Sequence, residues 1–267
     1  MDDFVAEGWE TVLRDNGLDG FEALWSLEAD WFEPPNRRRG GWSGVARIVL
    51  PGPDGQMTGL FLKRQENHTR RSLRHPLGGE PTFAAEMHNI LAMRQAKVPS
   101  LEPVYYAQRK VDGRWCVILM TRELLGFRPL DDWVGDWYAT GWAASLEHRR
   151  AVLAECAAVL RRLHEAGFVH NAMHPKHIFL RLSDQDGAEV CLIDLEKMRR
   201  KPGRLRRTLR DLDSLNRRSP HWGRADRLRF LNAYLGSRRL DAAGRRIWQL
   251  LARRYMKSKG SEGRDGA

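Results

Sequence analysis

The sequence has few cysteines, no long apolar run and no apolar leader. Its three cysteines, Cys116, Cys156 and Cys191, each lie within an apolar segment, which indicates buried, reduced thiols and argues against a disulfide or zinc framework. The longest apolar run, Trp115 to Met120, is far shorter than the about 20 residues that cross a bilayer. The acidic first residues lack the apolar stretch of a signal peptide. We therefore expect a cytoplasmic protein.

Negative charge is also in short supply. The chain has 45 Lys and Arg against 34 Asp and Glu, which gives a net charge of +11 and a pI near 10.0. Such a field concentrates anions, including nucleic acid, acidic lipid surfaces and phosphorylated sugars. An arginine-rich composition that reflects a GC-rich coding sequence is the alternative explanation. The sequence has neither the Cys and His spacing of a zinc finger nor an aromatic ribonucleoprotein motif, so we expect no specific nucleic acid partner.

Length and hydrophobic content indicate a folded protein of one large or two small lobes, since 267 residues include 42% hydrophobic residues and ten tryptophans. Residues 1–30 predict short helices that precede the core. Residues 31–122 predict five strands and one main helix, whereas residues 123–256 predict mainly helices. Residues 257–267 predict a disordered tail.

A glycine-rich segment precedes the strand predicted from Val45 to Leu50. It contains Gly40, Gly41 and Gly44, and glycine lets backbone amides approach a phosphate closely. This segment is a candidate phosphate-covering loop. A glycine-rich hairpin turn without a ligand is the more common occurrence and stays open as the alternative.

Lys63 ends a predicted strand, and strand alternation places it on the same side as Phe61. An ammonium group in that position suits nucleotide phosphates, although a lysine that extends from a strand end into solvent is the alternative. A helix predicted over residues 81–96 carries Glu86 at the border of its apolar face, where it could pair with Lys63. Glu80 is the competing partner, and a solvated Glu86 also stays open.

A His-rich segment and a β-hairpin follow the clearest predicted helix, which runs from Ser145 to Gly167. The strands of the hairpin are predicted from Ile178 to Leu182 and from Val190 to Leu195, and the second strand contains Asp194. A carboxylate at the end of an apolar strand is costly unless a cation meets it. We therefore predict a metal ion at Asp194.

This order of elements is similar to that of the protein kinase core, in which a catalytic loop, a hairpin and a Mg²⁺-binding Asp follow one another. His170 occupies the position of the loop His, His177 that of its Asn, and Ala172 that of the catalytic Asp. His170 or His174 then becomes the candidate that orients an acceptor hydroxyl, because imidazole titrates near neutral pH. A zinc cluster of the three histidines is an alternative, but Pro175 interrupts the helix that it would need.

Five segments carry a family resemblance that extends over roughly residues 20–235. They are EPPNRRRGGWSGV (33–45), FLKRQ (61–65), RHPLGG (74–79), HPKHIFL (174–180) and LIDLEKMRR (192–200). Together they resemble the lipopolysaccharide core kinases of Gram-negative bacteria, in particular the InaA subgroup. Studied relatives transfer the γ-phosphate of ATP to a heptose or Kdo hydroxyl of the core, in the cytoplasm at the inner membrane.

The resemblance implies an α+β, protein-kinase-like bilobal fold with a small antiparallel-sheet N-lobe and a mainly helical C-lobe. It implies ATP and Mg²⁺ as cofactors, the lipopolysaccharide core glycolipid as substrate, and work at the cytoplasmic face of the inner membrane. Lys63 resembles the lysine that binds ATP phosphates, Glu86 its ion-pair partner, and Asp194 with His177 the Mg²⁺ ligands. We expect a monomer.

Ala172 at the catalytic Asp position leaves two functions open. Phosphoryl transfer depends mainly on positioning and charge neutralisation, so a kinase without this Asp is chemically reasonable. The alternative is a pseudokinase that binds nucleotide as a scaffold or stress-response regulator without turnover.

Overall fold

The fold is taken from a computed structural model, which describes residues 3–38, 40–70, 79–141, 146–182 and 187–262. The chain divides into two compact units. The first comprises Met1–Leu91 and Leu101–Leu125, and the second comprises Ala92–Ser100 and Gly126–Ala267. The sequence predicted a boundary after residue 122, and the second of the two boundaries between the units lies after Leu125.

A six-stranded antiparallel sheet organises the first unit. In chain order the elements of the first unit are β1 (Phe4–Val5), α1 (Trp9–Asp15), α2 (Phe21–Ser26), β2 (Trp31–Arg38), β3 (Gly41–Pro51), β4 (Met57–Glu66), β5 (Thr69–Arg70), β6 (Glu80–Pro81), α3 (Thr82–Gln95), β7 (Pro103–Val111) and β8 (Arg114–Arg122); the last four residues of α3 belong to the second unit. The spatial order of the sheet is β1-β7-β8-β4-β3-β2, and β5 pairs separately with β6.

Tight turns join the central strands of this sheet. The turn between β7 and β8 contains Asp112 and Gly113, whose φ angles are 47° and 77°. Positive φ at both central residues gives a backbone twist that matches the twist of the flanking strands. The hairpin predicted from the Asp-Gly pair is therefore confirmed, as is the β3–β4 hairpin, in which Val45 lies opposite Lys63.

The two faces of β4 have different neighbours, because alternate side chains of a strand point to opposite faces. Leu60 and Leu62 are fully buried in an apolar core that also includes residues of α1 and α2. Lys63 and Gln65 lie on the opposite face and bind residues of α3. The segment 1–30, predicted as a helical extension, thus contributes Trp9 and Phe21 to the core of the first unit.

Helices form most of the second unit. In chain order its elements are β9 (Arg128–Pro129), α4 (Leu130–Ala139), α5 (Leu146–Glu165), β10 (Phe168–Val169), a 3₁₀ turn (Pro175–His177), β11 (Ile178–Leu182), β12 (Ala188–Leu192), a 3₁₀ turn (Leu195–Lys197), β13 (Arg199–Arg200), α6 (Arg204–Arg217), α7 (Arg224–Leu235) and α8 (Ala242–Glu262). The strands β12, β11 and β9 form one small sheet, and β10 pairs with β13.

Helix α5 is the central helix of the second unit. Its predicted apolar stripe is confirmed, since each of these side chains is at most 6% exposed: Val152, Leu153, Cys156, Val159, Leu160 and Leu163. Gly167, predicted to end the helix, has a φ of 89°, a left-handed conformation that favours glycine. The predicted N-cap, Ser145, lies outside the described residues.

The C-terminal helix is longer than the sequence indicated. The predicted disordered tail began at Lys257, but α8 continues through Gly260 to Glu262. The last five residues lie outside the described part of the chain. None of the described helices combines the length and the apolar composition needed to cross a membrane.

Candidate active site

Lys63 and Glu86 form an ion pair in the first unit. The Nζ atom of Lys63 lies 2.7 Å from Oε1 of Glu86, and the two side chains are 17% and 5% exposed. Strand β4 presents the lysine, and the second turn of α3 presents the carboxylate. The predicted pairing is therefore present. Because water reaches the pair poorly, loss of either partner would leave a charge that is desolvated and uncompensated.

Glu80, the competing partner, makes other contacts. Its carboxylate lies 3.6 Å from Arg70 Nη2 and 3.4 Å from His88 Nδ1. Glu80 belongs to β6, before α3 begins, so it is bound at the start of the helix and not beside Lys63. Of the two candidates, Glu86 is the partner of Lys63.

The three glycines of the predicted phosphate loop occupy different environments. Gly40 follows β2 with a φ of 76°, and no atom of the described residues lies within 4 Å of the position that a Cβ atom would take there. Gly41 and Gly44 already belong to β3, which begins earlier than the sequence predicted. A Cβ on Gly41 would collide with the backbone of Glu66, and a Cβ on Gly44 would lie 2.7 Å from the Trp31 ring. Packing alone therefore requires glycine at positions 41 and 44.

Asp194 lies just after β12. The sequence predicted a strand to Leu195, but β12 ends at Leu192, and Asp194 adopts a left-handed backbone with a φ of 57°. A non-glycine residue seldom adopts this conformation, and Asp is among those that tolerate it best. The bend turns the carboxylate toward His177, whose Nε2 lies 3.3 Å from Asp194 Oδ2.

The neighbouring backbone fixes the orientation of His177. Its Nδ1 lies 2.8 Å from the carbonyl oxygen of Ala172, and since a carbonyl only accepts, Nδ1 carries the hydrogen. Burial lowers the pKa of His177 to about 4, so the ring is neutral near pH 7. The remaining nitrogen, Nε2, then presents a lone pair toward the carboxylate of Asp194. Two electron-rich atoms facing each other at this distance are a suitable donor pair for a divalent cation.

His170 is the sequence-predicted site residue that the structure contradicts. It is fully buried, and its Nε2 donates a hydrogen bond to the carbonyl of Ile193 at 2.9 Å. Burial also lowers its pKa. The buried ring therefore presents no exposed atom to an acceptor hydroxyl. His170 supports the segment that carries Asp194, and the predicted catalytic role does not fit it.

His174 is better placed for the same role, because its side chain is only partly buried. Desolvation is the main cause that lowers its pKa to about 4, and the positive charges of Arg218, Lys176 and Lys197 lower it further. A neutral imidazole among three cations can accept a hydrogen bond from a hydroxyl while the cations attract an anionic group.

The alternative of a zinc cluster receives no geometric support. The ring of His177 stacks on those of His170 and His174, with centroids 6.0 and 4.9 Å apart. Stacked rings present faces to each other, whereas a metal is bound through the ring-edge nitrogens. Among the described residues, no group of three or more His, Cys, Asp or Glu side chains is arranged for a metal ion.

Sequence reasoning missed Asp211, which organises the loop from α6. Its fully buried carboxylate accepts the backbone N–H groups of His170 and Asn171 at 2.7 and 3.0 Å. The same carboxylate lies 3.0 Å from Nε2 of His164, whose Nδ1 is 2.8 Å from the hydroxyl of Tyr234. The available signal was one of two acids within the arginine-rich stretch 199–218, a pattern that favoured a solvated loop and helix face.

Comparisons with known proteins show the family to which the sequence is related. A family model described as the lipopolysaccharide kinase (Kdo/WaaP) family matches residues 22–234. Protein InaA of Escherichia coli (strain K12) is 33% identical over 189 residues, which cover 71% of this chain and 82% of InaA. The lipopolysaccharide core heptose(I) kinase WaaP of the same strain is 25% identical over 192 residues, which cover 68% of this chain and 67% of WaaP.

The fold is shared with a solved structure, that of WaaP in complex with acyl carrier protein. The TM-score is 0.69 at 24% identity, and the match covers 97% of this chain and 99% of that chain. At this identity the likeness shows the fold alone. The predicted α+β, kinase-like fold is thereby confirmed.

Proposed function

Because this chain belongs to the lipopolysaccharide kinase (Kdo/WaaP) family, we propose that it transfers the γ-phosphate of ATP to a sugar hydroxyl of the lipopolysaccharide core. The acceptor is a heptose or Kdo residue. The observation that carries this proposal is the poorly exposed ion pair of Lys63 and Glu86, since a lysine oriented by a helix carboxylate is the arrangement that positions nucleotide phosphates in kinases.

In the first unit, Lys63 supplies the positive charge and Glu86 sets its direction. Their separation of 2.7 Å leaves the other hydrogens of the ammonium group available for phosphate oxygens. Gly40 lies at the bend between β2 and β3, where its open surroundings leave room for a ligand. Gly41 and Gly44 serve the close packing of β3 and need no role in nucleotide binding.

In the second unit, Asp194 and His177 fit a divalent ion, because a carboxylate oxygen and an imidazole lone pair point toward each other. When bound, ATP supplies the phosphoryl group, and a divalent ion such as Mg²⁺ neutralises the charge of the phosphates. The carbonyl of Ala172 fixes the ring of His177, and the carboxylate of Asp211 fixes the backbone before it. The loop that lacks the catalytic Asp is thus still ordered for binding.

The acceptor is expected near His174. The neutral imidazole of His174 can accept a hydrogen bond from a sugar hydroxyl. Arg218, Lys176 and Lys197 provide the positive surroundings that an acidic glycolipid favours. The net charge of +11 supports work at the cytoplasmic face of the inner membrane, where anionic lipids attract basic proteins.

The decisive assay uses radiolabelled ATP, a divalent cation and dephosphorylated core oligosaccharide. We expect label to appear in the oligosaccharide with the wild-type protein and not with the variant Asp194→Ala. Transfer that does not exceed this control would overturn the proposal.

A second candidate function is nucleotide binding without turnover. The observation that favours it is Ala172, which is 4% exposed and stands where kinases carry their catalytic Asp. A methyl group cannot orient a hydroxyl, so the loop could have kept its binding role alone. In that case ATP raises the melting temperature although no transfer is detected, and the variant Ala172→Asp is more active than the wild type. Transfer by the wild type that Ala172→Asp does not increase argues against this candidate.

A further inference from the structure

Gln65 lies two residues beyond Lys63 on β4 and makes three hydrogen bonds, although nothing in the predicted site required it. Its side chain is fully buried. The Oε1 atom accepts hydrogen bonds from the hydroxyl of Thr82 at 2.8 Å and from the backbone N–H of Phe83 at 2.9 Å. The Nε2 atom donates to the carbonyl of His68 at 2.8 Å.

These contacts occur at the first turn of α3. The first N–H groups of a helix have no partner within the helix, and Gln65 supplies one from a neighbouring strand. The backbone N–H of Thr82 also bonds to the carbonyl of His68 at 3.2 Å. The start of α3 is therefore attached to β4 and to the residues that directly follow it.

The spacing of the contacts relates Gln65 to the ion pair. Lys63 and Gln65 are on the same face of β4, about 6.8 Å apart. Their partners on α3, Glu86 and Phe83, are three residues apart, a rise of about 4.5 Å, and lie on one face of the helix. The strand and the helix thus meet at two successive points. A rotation or a shift of α3 that separates Lys63 from Glu86 must also break the contacts of Gln65.

We propose that Gln65 is a positioning residue that fixes the rotation and the axial position of α3, and thereby sets the contact between Lys63 and Glu86. The benefit of this role rests on the proposed function, since an oriented Lys63 serves nucleotide binding. The contact between Lys63 and Glu86 is a property of the first unit and exists without any ligand. Phe83, whose backbone N–H binds Gln65, also contacts the lysine directly, because the centroid of its ring lies 5.9 Å from Nζ of Lys63.

The test measures how fast an amine-acylating reagent modifies Lys63 in the unliganded protein, with mass spectrometry as the readout. An amine engaged with Glu86 must leave the ion pair before it reacts. We expect Gln65→Leu to raise the rate at least about two- to tenfold, because the loss of even one of its three hydrogen bonds corresponds to that factor. Gln108→Leu is the matched control, because Gln108 lies in register with Gln65 two strands away on the same face of the sheet, whereas its side chain accepts from the hydroxyl of Tyr106 and, within the described part of the chain, bonds to no residue of α3.

A double-mutant cycle separates positioning from simple stabilisation. If Gln65 acts through Glu86, then Gln65→Leu changes the rate by less than about twofold in a Glu86→Gln background. Equal factors in both backgrounds, or a wild-type rate in folded Gln65→Leu, overturn the proposal. Thr82→Val provides a milder second variant should Gln65→Leu not fold: it removes one donor to Gln65 and keeps the shape of the side chain, and it must shift the rate in the same direction.

Titration of the same proteins with ATP and Mg²⁺ separates the two proposals. If the wild type binds ATP, Gln65→Leu should weaken binding by a similar factor. If the wild type does not bind ATP, the proposed function fails, whereas the acylation rates still decide the role of Gln65.

Discussion

The carboxylate of Asp211 accepts the backbone N–H of His170 at 2.7 Å, although 41 residues separate the two along the chain. A charged acceptor in a fully buried position is stable only where donors surround it. Asp211 has three: two backbone N–H groups and the ring of His164. The start of the segment from His170 to His177 is therefore bound to α6 through one side chain.

Asp211→Asn should destabilise the protein strongly. The amide keeps one acceptor but turns an NH₂ group toward N–H donors, and the cost of breaking a buried charge network is about 3–5 kcal/mol. The free energy of unfolding in urea measures this change. Asp213→Asn is the matched control, because Asp213 is partly exposed and its partner Arg217 lies at the surface. Equal losses in the two variants would contradict a special role for Asp211.

The nitrogen ligand of the proposed ion site should alter metal preference. Imidazole binds Co²⁺ much better than Mg²⁺, which prefers oxygen. We expect the wild type to bind Co²⁺ with a visible absorption change that reports nitrogen ligation, and His177→Asn to lose that change while keeping weaker Mg²⁺ binding. Titrations contain a non-hydrolysable ATP analogue. An unaltered spectrum in Asp194→Ala or in His177→Asn would exclude this pair as ligands.

Acid should weaken the fold before the carboxylates titrate. Burial lowers the pKa of His174 and His177 from 6.5 to about 4. Between these values the unfolded chain binds protons that the folded protein does not, so the free energy of unfolding falls as pH decreases from 6.5 toward 4. Above pH 6.5 both states are neutral and the effect vanishes.

Melting temperatures at pH 7 and pH 5 test this expectation. A variant with His174→Asn and His177→Asn should lose less stability across this interval than the wild type. Replacement of the exposed His88 by Asn is the control for a general effect of histidine removal. The expectation is wrong if the double variant and the control show the same decrease.

Gly44→Ala should lower stability without a specific effect on nucleotide binding. The new methyl group would lie 2.7 Å from the Trp31 ring, and overpacking of this kind costs about 1–3 kcal/mol. Thermal unfolding and tryptophan fluorescence should both change, since Trp31 must move. Should ATP affinity fall while the melting temperature stays constant, Gly44 would instead belong to the nucleotide site.

Several parts of the site could be predicted from the sequence because local patterns specify them. Alternation along β4 placed Lys63 and Phe61 on one face, and helical spacing placed Glu86 near the buried side of α3. The Asp-Gly pair indicated the β7–β8 turn, and the positive φ values of both residues show why. Asp194 was found because a carboxylate at the end of an apolar strand requires a partner.

Other features were wrong or missed because they depend on distant residues. His170 was predicted to meet a substrate, but its ring is fully buried and bonds to the carbonyl of Ile193, while its backbone N–H bonds to the carboxylate of Asp211. The strand before Asp194 ends earlier than its apolar residues suggested, because the bend that directs Asp194 toward His177 uses a left-handed conformation. No periodicity in a sequence reports such contacts.

The sequence by itself determined the order of the main strands and helices and the residue types available for binding phosphate and a cation, since these follow from local spacing and composition, and its five motifs carried the family resemblance. Only the tertiary structure decided which atoms face each other: Glu86 and not Glu80 beside Lys63, the lone pair of His177 toward Asp194, and Gln65 at the start of α3. The physical reason is that hydrogen bonds act over about 3 Å, so their partners are chosen by packing between segments that lie far apart in the chain.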